Sequence, residues 1–176
     1  MCLVQKSIRI ILLNQKNEIG LIQADDASLK DNSGKYNGKF WYLIGGQIEA
    51  NETLQAAAQR ELYEETGLQS QDVIWGPIVW EGIVHLQKNN APLNIHQSFI
   101  VANTHNNNIH LHQLDAWEQD HVKQLRWFSL EDITHCTEII YPVVLKDLLP
   151  PILLKQYPTT PITIDLDKKP NFTNLS

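Results

Sequence analysis

The residues are patterned as a mixed α/β domain of the α+β kind, with strands outnumbering helices. Three observations predict this. Short β-branched and aromatic runs bounded by polar stretches recur as far as Phe128, the pattern of strands. A single unbroken run of strong helix formers, residues 53–66, lies among them. The chain has 176 residues, 43% of them hydrophobic, enough for one compact domain that buries roughly two thirds of its unfolded surface.

Residues 7–14 are rich in Ile and Leu, residues 15–18 are polar and residues 19–23 are apolar again, which predicts an opening hairpin. Residues 24–39 are polar and include Asp31, Asn32, Ser33, Gly34, Asn37 and Gly38; they read as a solvent-facing loop. A short strand over 40–44 comes next and is broken by Gly45 and Gly46. The helix over 53–66 has Asn51 or Thr53 to cap its start and Gly67 to end it. Residues 73–84, 97–102 and 125–128 read as further strands. Residues 139–154 predict a second helix in two parts, with Pro142 near a start and Pro150 and Pro151 breaking the later part. The domain therefore spans residues 1–155. Residues 156–176, with Pro158, Pro161 and Pro170, form a tail that is extended or partly disordered. Within it, the stretch from Ile162 to Leu166 alternates with polar residues and can pair with a sheet edge or a second subunit.

Composition excludes several classes. The net charge is -6, from 14 Lys and Arg against 20 Asp and Glu, which argues against a binder of nucleic acid polymers. A highly anionic ligand would need a cation supplied with it. Cys2 and Cys136 are too few for a disulfide framework and stand in no metal-ligand spacing, so a cytoplasmic location is expected. The apolar run over residues 10–13 is too short for a signal core or a membrane span, and no membrane association is expected.

The chemistry concentrates in residues 46–68. Counting from Gly46, Glu52 stands six residues on, followed by Arg60 and Glu61, the aliphatic Leu62, Glu64 and Glu65, Gly67 and the aliphatic Leu68. Seven identities at fixed spacing match by chance on the order of once in ten million positions. Glu61, Glu64 and Glu65 stand at i, i+3 and i+4, so a helix crowds three carboxylates onto one face. Such a patch calls for a cation, and magnesium, a hard ion shared among carboxylates, water and phosphates, is the natural one. Gly45 and Gly46, lacking side chains, permit a sharp turn and close backbone approach. Arg60 is placed to hold the carboxylates in orientation.

This segment resembles the complete Nudix box, and the stretches Phe40-Trp41-Tyr42-Leu43 and Arg126-Trp127-Phe128-Ser129-Leu130 extend the likeness to roughly residues 5–150. The resemblance implies an α/β/α sandwich around a central mixed sheet. It also implies a hydrolase that cleaves a phosphate-phosphate bond in a small-molecule substrate, a nucleoside diphosphate linked to another group, with Mg2+ or Mn2+ as cofactor. Gly45 would offer its carbonyl to the metal beside Glu61, Glu64 and Glu65; Arg60, Glu61 and Glu64 would serve catalysis. The general base would be a box glutamate or a later one, for which Glu118 is the candidate, with Asp120 behind it. Family members are often dimers, so a homodimer is compatible with the reading. Many relatives have proline before the glycine pair where this chain has Ile44. Motifs that would name a substrate are missing, which leaves nucleoside triphosphates, ADP-ribose or a nucleotide sugar, and a non-catalytic nucleotide-binding regulator, as the alternatives. Trp41 and Trp80 are candidates to stack on a base. His105, His110 and His112 lie in an Asn-rich run and read as a polar surface loop.

Overall fold

The structure, a computed structural model, describes residues 4–31 and 39–169. Its frame is a mixed sheet whose central strand β1 (Val4–Leu13) runs parallel to β6 (Ala91–Thr104) on one side and antiparallel to β4 (Lys39–Gln47) on the other. Strand β2 (Ile19–Asp25) turns back from β1 and pairs with both β4 and β7 (Val122–Phe128). Strand β5 (Val73–Lys88) forms a long hairpin with β6. Asn89 and Asn90 make that turn with φ of 51° and 62°, the left-handed pair that a two-residue hairpin needs and that Asn tolerates.

Alternation along β1 divides the core. Ile8, Ile10 and Leu12 pack with Ala57, Ala58 and Leu62 of helix α1 (Leu54–Thr66). Ile11 and Leu13 pack with Ile133 of α3 (Leu130–His135) and with Leu145, Leu149 and Ile152 of α4 (Leu145–Leu153). Helices thus cover both faces of the sheet, the α/β/α sandwich that the resemblance implies.

Several elements differ from the sequence reading. The expected loop over 24–39 begins with the end of β2 and carries a short strand β3 (Leu29–Asp31) paired with β5; Asn32, Ser33, Gly34, Asn37 and Gly38 lie outside the described residues. Residues 139–140 are a strand, β8 (Ile139–Ile140), parallel to β4. Pro150 and Pro151 sit inside α4 rather than breaking it. Burial of Leu145, Leu149 and Ile152 on one face outweighs the lost backbone bonds near its C-terminal end. Within the tail, β9 (Ile162–Thr163) pairs with β5, as its alternating pattern allowed. Among the described residues no helix is long and apolar enough to cross a membrane.

Leu62 is fully buried between α1 and the sheet. Leu62→Ala is predicted to lower the unfolding free energy by about 2–5 kcal/mol, measured by urea denaturation with an unchanged m-value.

Candidate active site

Helix α1 is delimited by its own sequence. The Thr53 hydroxyl accepts from the Ala56 amide at 3.1 Å, and Gly67 ends the helix at φ 75°, donating its amide to the Tyr63 carbonyl. Between these caps, Glu65 stands roughly 40° around the axis from Glu61 and Glu64 roughly 60° the other way. The difference sorts them. Glu61 and Glu65 face the sheet, with 7% and 1% exposure, whereas the Glu64 side chain keeps 34% of its surface in solvent.

The glycine pair of β4 makes that burial sterically feasible. Gly45 has φ of 135°, and a Cβ there would stand 2.1 Å from the Ile8 carbonyl oxygen on β1. A Cβ on Gly46 would stand 2.4 Å from Glu61 Oε1, so the Glu61 carboxylate occupies the space a side chain would take. The Gly45 amide donates to Glu65 Oε2 at 2.6 Å, and the Gly45 carbonyl accepts from Arg9 Nη1 at 2.8 Å. Ile44, in the place where many relatives have proline, is a fully buried core residue opposite Ile10 of β1.

Arg60 ties the loop to the helix. Its Nε and Nη2 donate to the two oxygens of Glu52 at 2.9 Å each, Nη1 donates to Glu61 Oε1 at 2.8 Å and Glu64 Oε2 at 3.1 Å, and Nη2 also reaches the Gln47 carbonyl. The fork-shaped guanidinium suits this bidentate role. The hydrogen bond from Arg60 also holds the Glu52 carboxyl below its ordinary pKa.

Glu118 comes from helix α2 (Ala116–His121), in a segment whose sequence reads only as a polar stretch. A capping box builds this helix: Asp115 Oδ1 accepts from the Glu118 amide at 2.8 Å, and Glu118 Oε2 accepts from the Asp115 amide at 2.7 Å. The Asp-x-x-Glu spacing that signals such a box is visible in the chain. With one oxygen committed to its own cap, Glu118 meets Glu61 and Glu65, and one carboxylate oxygen from each of the three lies within 4.8 Å of the others. Asp120, the fallback, is exposed and outside this group.

Burial raises the Glu61 carboxyl above its ordinary pKa, with Arg60 opposing the rise. Burial raises Glu65 well above the usual carboxylate range, and the neighbouring charges of Glu61 and Glu118 add to it. Among the described residues neither Glu65 nor Glu118 has a salt bridge. Hard oxygen donors crowded in this way fit a divalent cation such as Mg2+ or Mn2+. Glu61 and Glu65 would hold it, with Glu118 opposite them. Glu64 is turned instead toward Arg60 and solvent.

These groups open onto a cleft of about 350 Å³. Gly45, Gly46, Glu65 and Glu118 line it together with Phe40, Tyr42, Trp117 and Tyr141, and with Lys6, Arg9 and Lys88. Arg9 lies over the Tyr42 ring at 5.6 Å and Lys88 over the Trp117 ring at 5.7 Å. The Trp117 indole is anchored by donating to Asp26 Oδ2 at 2.8 Å. Burial disfavours the Asp26 charge, but hydrogen bonds from Ser28 and Trp117 hold its carboxyl below the ordinary pKa.

Trp41 and Trp80, the expected stacking residues, do not line this cleft. Strand alternation sends Trp41 to the face opposite Tyr42, where it is 3% exposed, packs edge-on to Phe128 and donates to Glu138 Oε2 at 2.7 Å. Trp80 is 1% exposed against Phe99. The aromatic lining is instead Phe40, Tyr42, Trp117 and Tyr141. Period-two alternation offered Tyr42 and Phe40 as the pair opposite Trp41, and the capping box would have placed Trp117 beside Glu118. The histidine run does not join the carboxylates. His110 packs over Gly67 and its amide donates to the Thr66 carbonyl, while His112 stacks edge-on to Tyr63.

A NUDIX domain model matches residues 4–148. Nudix hydrolase 19, chloroplastic, of Arabidopsis thaliana is 35% identical over 51 residues, 29% of this chain and 12% of that protein, so the likeness spans a small part of the relative's length. Among solved structures, a C. elegans Ap4A hydrolase binary complex superposes with a TM-score of 0.59 at 16% identity, covering 86% of this chain and 99% of that one. The NUDIX domain of Shewanella oneidensis NrtR, complexed with ADP ribose, gives 0.57 at 15% identity, covering 84% and 86%. These two share the fold, and the domain match over residues 4–148, which takes in the box, strands β1 to β8 and Glu118, shows that the chain belongs to the Nudix family.

Proposed function

We propose that the chain is a divalent-metal-dependent hydrolase that cleaves a phosphate-phosphate bond in a nucleoside diphosphate linked to another group, a nucleoside triphosphate or related derivative, with Mg2+ as the working cation and Mn2+ as a substitute. One observation carries the reading: three carboxylates, from Glu61, Glu65 and Glu118, converge within 4.8 Å, and two of them open onto a cleft that also holds aromatic rings and cationic side chains. A nucleotide has the matching parts, a flat base and a chain of phosphates.

When bound, the cation would offset charge on the phosphate oxygens as the bridging bond breaks. The chain's own residues do the rest. Glu61 and Glu65 hold their oxygens toward the cation site, Glu61 steadied by Arg60 and Glu65 by the Gly45 amide. Glu118, with Oε2 fixed by its cap, accepts the proton of the water whose oxygen attacks phosphorus; the bridging P–O bond breaks and its electron pair leaves on the departing phosphate. Tyr42, Trp117 and Tyr141 line the part of the cleft that would receive the base, and Arg9 and Lys6 offer positive charge to the phosphates. Positioning and electrostatics supply the rate, as in phosphoryl transfer generally.

Purified chain is to be assayed with Mg2+ against nucleoside triphosphates, ADP-ribose, dinucleoside polyphosphates and nucleotide sugars, with products identified. Metal-dependent release of two phosphorylated products from at least one is expected; nucleotide binding without turnover of any would favour the regulatory alternative. Glu65→Gln is predicted to lower turnover by several orders of magnitude, and Glu118→Gln by about 10²- to 10⁴-fold, the usual range for a general base. Near-wild-type turnover in Glu118→Gln would exclude that role. Independently of turnover, saturating Mg2+ is predicted to raise the Tm of the unsubstituted chain, by about 2.7 kcal/mol of added stability at a hundred times Kd. Glu65→Gln should shift less; equal shifts in both would remove Glu65 from the metal site.

A further inference from the structure

The NUDIX match ends at residue 148, yet chain beyond it returns to the cleft. Ile162 and Thr163 pair in parallel with Trp80 and Glu81, and the Ile164 amide donates to the Glu81 carbonyl at 2.9 Å. Ile164 and Leu166, 8% and 7% exposed, are inserted into the core cluster of Trp80 and Phe99. Gly82 allows this approach, because a Cβ there would stand 2.6 Å from the Ile164 carbonyl oxygen. A clasp completes the attachment: Asp167 Oδ1 accepts from the His85 amide at 2.8 Å, and Asp167 Oδ2 lies 2.6 Å from His85 Nδ1. Residues 162–167 are thus tied to β5 by backbone, apolar and side-chain contacts at once.

The consequence lies at the next position. Leu166, Asp167 and Lys168 line the same cleft as Gly45, Glu65 and Glu118. Lys168 is exposed, and it adds to the positive charge that Lys6 of β1 and Lys88 of β5 bring there. In a chain of net charge -6, lysines from three separated segments that line one cleft give it positive charge suited to an anion.

We propose that residues 162–169 are a fixed wall of the substrate cleft and that Lys168 sets specificity by pairing with a phosphate of the substrate's polyphosphate chain, favouring nucleotides with several phosphates over those with one. This rests on the reading of the cleft as a nucleotide site. Lysine suits the task as a point charge reaching a phosphate without fixed geometry.

Equilibrium binding of AMP and of an ATP analogue with methylene groups in place of both bridging oxygens (ATP below), which is not hydrolysed, measured by calorimetry with Mg2+ present, tests the assignment. Lys168→Glu should raise the Kd for ATP about tenfold and that for AMP less than about threefold, while Lys168→Arg keeps both near the unsubstituted values. Gly82→Ala, which displaces the wall without touching the lysine, should weaken ATP in the same direction. Equal weakening of both nucleotides by Lys168→Glu, no change in either, or no measurable ATP binding by the unsubstituted chain would overturn the proposal. Charge-dependent ATP binding in a chain that hydrolyses nothing would leave this wall standing and sink the hydrolase reading instead. In an active chain, the same substitution should appear in KM for ATP with kcat within about twofold, the mark of uniform binding.

Discussion

Burying Glu61 and Glu65 on one face of α1, against the backbone of Gly45 and Gly46, is the constraint on which the site depends. Two carboxylates at 7% and 1% exposure are expensive to remove from water unless hydrogen-bonded or paired. Glu61 is paired, through Arg60, which the loop residue Glu52 in turn holds by two bonds. Glu65 has the Gly45 amide and a side-chain hydrogen bond with Glu118, whose charge pushes the Glu65 carboxyl further up. A divalent cation with oxygen preference resolves that imbalance better than any side chain in reach.

Much of the remaining structure serves to keep that face in place. Leu62, Ala57 and Ala58 anchor α1 to one side of the sheet, and the segment after β6 closes over the helix end, with the His110 amide on the Thr66 carbonyl and the Gln113 amide on the Glu64 carbonyl. Those bonds satisfy carbonyls that a helix terminus leaves open. They also fix where α2 begins, and so deliver Glu118 to the carboxylates and Trp117 to the cleft from one short helix. Under the proposed function, one short helix would support both the nucleotide's base and the group that takes the proton.

The same economy appears on the opposite wall. β5 offers one edge to the terminal segment, and Ile164, Leu166 and Asp167 secure that segment by contacts of three kinds. Lys168, the next residue, inherits its position from this attachment. An exposed charge becomes part of a cleft because Ile164 and Leu166 before it are buried and Asp167 is clasped to His85.

Local chemistry was legible in the sequence. Helix formers from Leu54 to Thr66, the cap at Thr53, the stop at Gly67, the glycine pair and the fixed spacing of Arg60, Glu61, Glu64 and Glu65 all depend on neighbours within a few positions, and all appear where the pattern puts them. The α/β/α layering followed from the resemblance that those residues carry. Tertiary structure alone decided which carboxylates converge, because Glu118 lies 53 positions beyond Glu65 in the chain and reaches it only through the path of β5, β6 and α2. It decided that Trp41 and Trp80 are core and that Phe40, Tyr42 and Trp117 line the cleft, since a strand's alternation gives two faces without saying which is inward. It also decided that residues 166–169 line the cleft, because pairing with β5 and the space above Gly82 exist only once the sheet is assembled.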